Sequence, residues 1–189
     1  MNFKKNDLNI KDYNNLKHLA SRGINQFWSR SIKVSNHSFV VTVNVVHRTV
    51  NAIEVDLYVE QGLKYKRSMN IGIFGIDASF IYNKGFFSPY MTRAEQDFML
   101  VSAHEFGHSV LQYFDGVRLS WSHKGTTHVI TQSVKSNTPG YPLKGSIDLM
   151  KYYDSNKRQA LLPRRFKMTL ADEQDVKRLI WLSQITFVQ

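Results

Sequence analysis

His104-Glu105-Phe106-Gly107-His108 lies inside a stretch, from Thr92-Arg93-Ala94-Glu95 to Asp115-Gly116, that reads as one long amphipathic helix. Two histidines four residues apart project from the same side of a helix, so both imidazoles can reach one cation. The glutamate between them is the acid/base that an activated water needs. A structural explanation would have to place two imidazoles and a carboxylate among apolar neighbours without partners, which is costly. The pattern therefore points to metal-assisted hydrolysis, of a peptide bond first of all.

The helical context follows from the flanking residues. Thr92 and Glu95 have the form of a capping box, which predicts a helix start at about residue 93. Phe98, Val101 and Leu111 form one apolar stripe, and Met99, Ala103, Phe106, Val110 and Phe114 form another. The two stripes meet, so the helix is expected to be buried on most sides with His104 and His108 facing a pocket. Asp115-Gly116 supplies a stop signal. Gly107 costs on the order of 1 kcal/mol relative to alanine in a helix, and its lack of a side chain beside the second histidine allows another backbone to approach.

A catalytic zinc takes three protein ligands and leaves a position for water. The metzincin extension of the motif is excluded by Leu111 and Phe114. A thermolysin-type site would need a downstream glutamate, and Glu173 is the only one after Glu105. His123 is the first candidate, because Gly116 can reverse the chain so that residues 117–123 return beside the helix. Asp148 is the alternative. It sits in Gly145-Ser146-Ile147-Asp148, loosely similar to the Gly-Thr-x-Asp element that carries the aspartate ligand in aspzincins. His128 and Glu173 follow. Neutral imidazoles of His104, His108 and the third ligand would hold Zn²⁺, and Glu105 would move the water proton to the leaving amine. The donor for the oxyanion would come from Tyr141, Tyr152, Tyr153 or His128, with Tyr152 and Tyr153 favoured because they follow Asp148.

Composition limits the alternatives. With 189 residues, 42% of them hydrophobic, the chain can bury one substantial core and is read as a single domain over 1–189. Cysteine is absent, so any metal site is built from nitrogen and oxygen. No apolar run approaches the ~18 residues of a membrane span, and the N-terminus leads into no signal core. Export would have to use a route that this segment does not encode. The net charge of +10 is densest at Lys157-Arg158 and Arg164-Arg165-Phe166-Lys167. No Gly-rich phosphate loop, zinc-finger spacing or RNP-like pattern accompanies it, which disfavours nucleic acid as the substrate. An acidic protein substrate or an acidic partner would suit the same charge.

The first half predicts a helix over residues 11–29, from Ile10, Tyr13, Leu16, Leu19, Ala20, Ile24 and Phe27 at helical spacing. Alternating β-branched sequence over 39–46 and 53–59 predicts neighbouring strands joined by a hairpin around Thr49–Asn51. A third strand is expected across 69–76, whose segment 70–75 is a candidate cleft edge, and a fourth at Phe80-Ile81-Tyr82. Beyond the site helix, residues 117–145 read as loop-rich. A short helix is expected over 147–153 and a final one over 170–183, with Leu179, Ile180, Trp181 and Leu182 capping the core. The fold class is then α+β and zincin-like, a small mixed or antiparallel sheet with a long HExxH helix and further C-terminal helices.

From Thr92 onward the chain also resembles a known family. His104–His108, Ser120–Thr126, Thr138-Pro139-Gly140-Tyr141-Pro142, Ile147–Asp154 and Asp175–Trp181 look like segments of the metallopeptidase toxin domains at the C-terminal ends of bacterial Rhs and related polymorphic toxins. Within these the run Ile147-Asp148-Leu149-Met150-Lys151-Tyr152-Tyr153 is the more specific part, since HExxH is shared by many zincins. The resemblance implies a zinc-dependent protease secreted and delivered into competitor cells, acting in the target cytoplasm, with a cognate immunity protein in the producer. Two other classes stay open. One is a zinc amidase acting on cell-wall peptide crosslinks. The other is a non-catalytic binding module, against which Glu105 counts.

Overall fold

A computed structural model describes residues 1–70 and 78–183. The first element, β1 (Asn2–Lys4), leads into α1 (Ile10–Trp28), whose start is capped by the Asn9 side chain accepting from the Asp12 amide at 2.8 Å. Leu16, Leu19, Ala20, Ile24 and Phe27 recur on one face and are buried, as the helical spacing predicts, and Trp28 is buried with them, whereas Ile10 at the helix start is 69% exposed. Gly23 lies on that face because a Cβ there would come within 2.8 Å of Met99 Cα. At this position α1 packs directly against the backbone of the later site helix.

β2 (Arg30–Val34) and β3 (His37–Val41) form an antiparallel hairpin, turning at Ser35 with φ 53°. β4 (Glu54–Val59) lies between β1 and β5 (Ala78–Tyr82), and both pairings are parallel. The expected pairing of 39–46 with 53–59 is therefore corrected. β3 pairs backwards with β2, and the strand run ends at Val41. Beyond it, the Val43 and Val45 amides donate to Ser29 Oγ and Asn25 Oδ1, both at 2.8 Å. Side chains at the end of α1 thus satisfy amides that a ladder would have used. The main sheet is parallel rather than antiparallel. Its one antiparallel addition among the described residues is the Met69–Ser79 bridge on the outer edge of β5. Most of the strand expected over 69–76, and of its proposed cleft edge, lies outside the described residues.

After a short helix α2 (Lys84–Phe87), the site helix α3 runs over Met91–Trp121. It starts before the expected capping box. Tyr90 is the N-cap, with no side-chain cap bond, so Thr92 already sits in the first turn and is not free to cap. Gly116, at φ 80° and ψ 174°, breaks the helix as expected but does not end it, and helical geometry resumes to Trp121.

The chain is then irregular until β6 (Ile147–Asp148), which pairs in parallel with β7 (Thr169–Leu170). The helix expected over 147–153 does not form. Asp148 Oδ1 accepts from the Met150 amide at 2.9 Å, and the Tyr153 hydroxyl accepts from the Asp148 amide at 3.0 Å, a local arrangement that competes with a helical turn. α4 (Leu162–Met168), with Pro163 in its first turn, was not anticipated. α5 (Glu173–Leu182) begins later than expected, capped by Asp172. It buries Asp175 and Val176 and packs Leu179 and Ile180 on the core, but Trp181 is 78% exposed and caps nothing.

One buried cluster joins α1, the sheet and α3. Trp28 fixes the register of the two helices by donating from Nε1 to the Ala103 carbonyl at 3.0 Å, one residue before the first site histidine. The result is an α+β molecule in which the HExxH segment is a central, core-packed element.

Candidate metal centre

His104 and His108 stand one turn apart on α3, their ring centroids separated by 4.8 Å. The kink at Gly116 redirects the chain so that the turn after α3 carries His123 back to them, with centroids 5.3 Å from His104 and 5.0 Å from His108. One ligand atom from each ring lies within 4.8 Å of the others. The structure thus brings together the two motif histidines and the first candidate for the third position.

The hydrogen bonds decide which nitrogen of each ring is available. His104 Nδ1 is 2.7 Å from the Leu149 carbonyl, an acceptor only, so Nδ1 carries the proton. His108 Nδ1 is 2.8 Å from Ser120 Oγ, whose own proton goes to the His108 carbonyl. His123 Nδ1 is 2.9 Å from Thr127 Oγ1, whose proton goes to the Trp121 carbonyl. All three rings are therefore N–H donors at Nδ1 and present a lone pair at Nε2. The Nε2 atoms of His104 and His123 are buried without a hydrogen-bond partner. Orphaned acceptors of this kind, converging with a third imidazole, fit a divalent cation.

Electrostatics favours the same state. Burial holds the His104 imidazole down to about 4 and the His108 and His123 imidazoles also well below their ordinary value, with the neighbouring imidazoles adding to the effect on the last two. The rings are neutral at pH 7, as ligands must be. Glu105 is buried beside them, its Oε2 4.0 Å from His108 Nε2. Burial pushes its carboxyl up to about 8, opposed by the Arg67 charge.

The turn carrying His123 is held from outside. His123, Lys124 and Gly125 all have positive φ, at 47°, 57° and 90°, a conformation unfavourable for the first two. Lys124 offsets this by reaching Asp148 at 2.6 Å and the buried Asp175 at 2.9 Å. Arg178 extends the network from Asp175 to Asp115, 2.7 Å from each, beside the kink. Asp148, the alternative ligand, is thus engaged by Lys124 and lies outside the histidine cluster. Glu173 pairs with Lys177 at 2.8 Å and accepts from the Lys33 amide, and His128 is exposed; neither joins the cluster.

Tyr152 stacks on His123 with centroids 3.8 Å apart, and its hydroxyl accepts from Arg67 at 2.6 Å. Tyr153 is engaged through Asp148 and stacks on Tyr141 at 4.8 Å. Gly107 is needed, though not for a backbone: a Cβ would strike Met150 and come within 2.8 Å of Trp28 Cζ2.

Several contributors carried no sequence signal. Asn70 donates from Nδ2 to the Glu105 carbonyl at 2.6 Å and to Ser109 Oγ at 2.8 Å, docking the segment outside β5 onto α3. Arg67, Ser120 and Thr127 are ordinary surface types by composition, and only their partners reveal them. Arg67, Ser68 and Glu105 line both halves of a groove. A cleft of about 390 Å³ lies towards His104, and one of about 300 Å³ lies towards His108, Trp121 and Ile130.

No helix among the described residues is long and apolar enough to cross a membrane. Compared with known proteins, the chain matches no family profile, no curated sequence and no solved structure.

Proposed function

We propose that this chain is a zinc-dependent metallopeptidase and, on the resemblance of its second half, an antibacterial toxin domain restrained by an immunity partner. The observation that carries the enzymatic reading is the convergence of three imidazoles, each protonated at Nδ1 and with Nε2 buried and unpartnered in His104 and His123, next to the buried Glu105 carboxyl. A bound zinc ion would supply Lewis acidity to a water and to the scissile carbonyl. His104, His108 and His123 would hold it.

The remaining steps belong to this chain's own side chains. Glu105 accepts a proton from the water as its oxygen bonds to the carbonyl carbon, and returns that proton to the amine nitrogen as the C–N bond breaks. The Tyr152 hydroxyl donates to the carbonyl oxygen as charge builds there. Arg67, hydrogen-bonded to that hydroxyl, adds positive charge at the same place. Walls on both sides of Glu105 give an extended peptide room to lie across the site.

Replacing Glu105 with Gln is the test. The variant keeps stoichiometric zinc and loses proteolysis by roughly 10²–10⁴-fold, the usual contribution of a positioned acid/base. Expression of wild type and variant in bacteria, with mapping of new protein termini, reads activity and substrate together. Full activity in the variant would remove this mechanism. Release of peptidoglycan fragments without new protein termini would transfer the same chemistry to a cell-wall amidase.

A further inference from the structure

We propose that the cleft on the His104 side recognises a carboxylate of the substrate, and that Arg165 is the residue that receives it. This rests on the hydrolase reading and adds a substrate class to it. Arg165 comes from α4 and lines the same cleft as His104 and Glu105. It is half-buried, with its guanidinium 5.8 Å from the centre of the Tyr141 ring. Among the described residues no carboxylate lies within 4.0 Å of it. By contrast, Lys66, Lys124, Lys177 and Arg178 are all ion-paired.

A partly desolvated cation with no carboxylate in direct contact draws an anion into its site. The acids nearby are already engaged. Asp148, on the cleft wall, is bound by Lys124 at 2.6 Å. Asp97, whose charge Arg165 feels, is buried and accepts from the Tyr65 hydroxyl at 3.0 Å. Glu105 is reserved for the water. Arg67 spends its hydrogen bonds on neutral partners, Tyr152 and Gln132, and so adds positive charge at the cleft with no carboxylate in direct contact. Arg165 lines the same cleft as His104 and Tyr152, so an anion held there shares the cleft with the reacting bond.

A guanidinium fork suits a carboxylate in two-point contact, and tyrosine faces suit the carbon chain that carries it. Two sources share this chemistry: an Asp or Glu side chain flanking the cleaved bond, and the free C-terminus of the substrate.

The test uses the zinc-reconstituted full chain and short labelled peptides made in pairs, Glu against Gln at positions flanking the cleaved bond, and free against amidated C-terminus. Cleavage is read on wild type, and binding by fluorescence anisotropy on the Glu105→Gln variant, where nothing turns over. The carboxylate member of a pair is expected to bind and be cut roughly tenfold better, as for a charge-assisted hydrogen bond. A preference in the Glu/Gln pair assigns a side chain, and one in the terminal pair assigns an exopeptidase-like end. Arg165→Met removes the preference, and Arg165→Glu turns it towards Lys. The ligand-side pairs decide the matter even if a variant misfolds. Cleavage without any carboxylate preference overturns the proposal and leaves the protease reading standing. Carboxylate-dependent binding without cleavage does the reverse, and absence of both removes both.

Discussion

Residues 104–108 and residues 120–127 deliver imidazole to the same point, the first from the middle of a core-packed helix and the second from a turn with three successive positive φ angles. In the helix, ligand spacing is a local property: one turn of α-geometry sets His104 and His108 side by side, whatever the rest of the chain does. In the turn nothing local fixes His123. Its place depends on Lys124 reaching residues 24 and 51 positions away, on Thr127, and on the Gly116 kink. One cluster thus has two imidazoles fixed by secondary structure and a third fixed by tertiary contacts, and the third is the vulnerable one.

The strongest way to break this asymmetry is Lys124→Met. It leaves Asp148 and the fully buried Asp175 side chain without their shared cation, and removing one partner of a buried ion pair costs about 3–5 kcal/mol. Denaturant unfolding should show that loss, and metal analysis should show weakened zinc retention while the α3 pair persists. Arg178 still neutralises Asp175 in part, which sets the lower end of the range.

A gentler comparison sharpens it. Thr127→Val and Ser120→Ala each remove the acceptor that orients one ring, and such changes cost roughly ten- to a hundredfold in metal affinity. Competition titration with a zinc chelator should place Thr127→Val at the upper end and Ser120→Ala at the lower, because the His108 ring is also confined by its helix. Equal losses would mean that the turn is as rigid as the helix.

The last comparison is a pH slope. The three histidines have folded values depressed below 6.5, so their contribution to stability is complete above pH 6.5 and is lost as pH falls towards about 4, the His104 value. Glu105 has the opposite sign. Its folded value is raised from 4.5 to about 8, so its contribution falls as pH rises through that window. Metal-free wild type should therefore lose stability relative to Glu105→Gln by about 1 kcal/mol per pH unit between pH 6.5 and about 8. Saturating zinc should flatten the slope, since a cation beside the carboxyl favours its charged form.

The two regions also differ in how far the amino-acid sequence discloses them. The helical half was legible because its information is periodic: α1 and α3 follow from apolar spacing, and His104, Glu105 and His108 from one motif. His123 was reachable through Gly116 and the chain reversal it permits, although the chain turns by a kinked helix rather than a loop. Other features were hidden because distant partners decide them. The β-branched run after Val41 is taken from the sheet by Ser29 and Asn25, the 147–153 helix yields to Asp148 and Tyr153, and Thr92 is overtaken by a helix that starts at Met91. Arg67, Asn70 and Arg165 act across tens of residues with no spacing rule to mark them.

The choice of Nδ1 as the protonated nitrogen in every ring has a thermodynamic corollary. Capture of a cation near neutrality displaces no hydrogen ion from the imidazoles, since their receiving lone pairs are already bare. A cation placed beside the Glu105 carboxyl would favour its charged form, so that loading draws a hydrogen ion from this side chain instead.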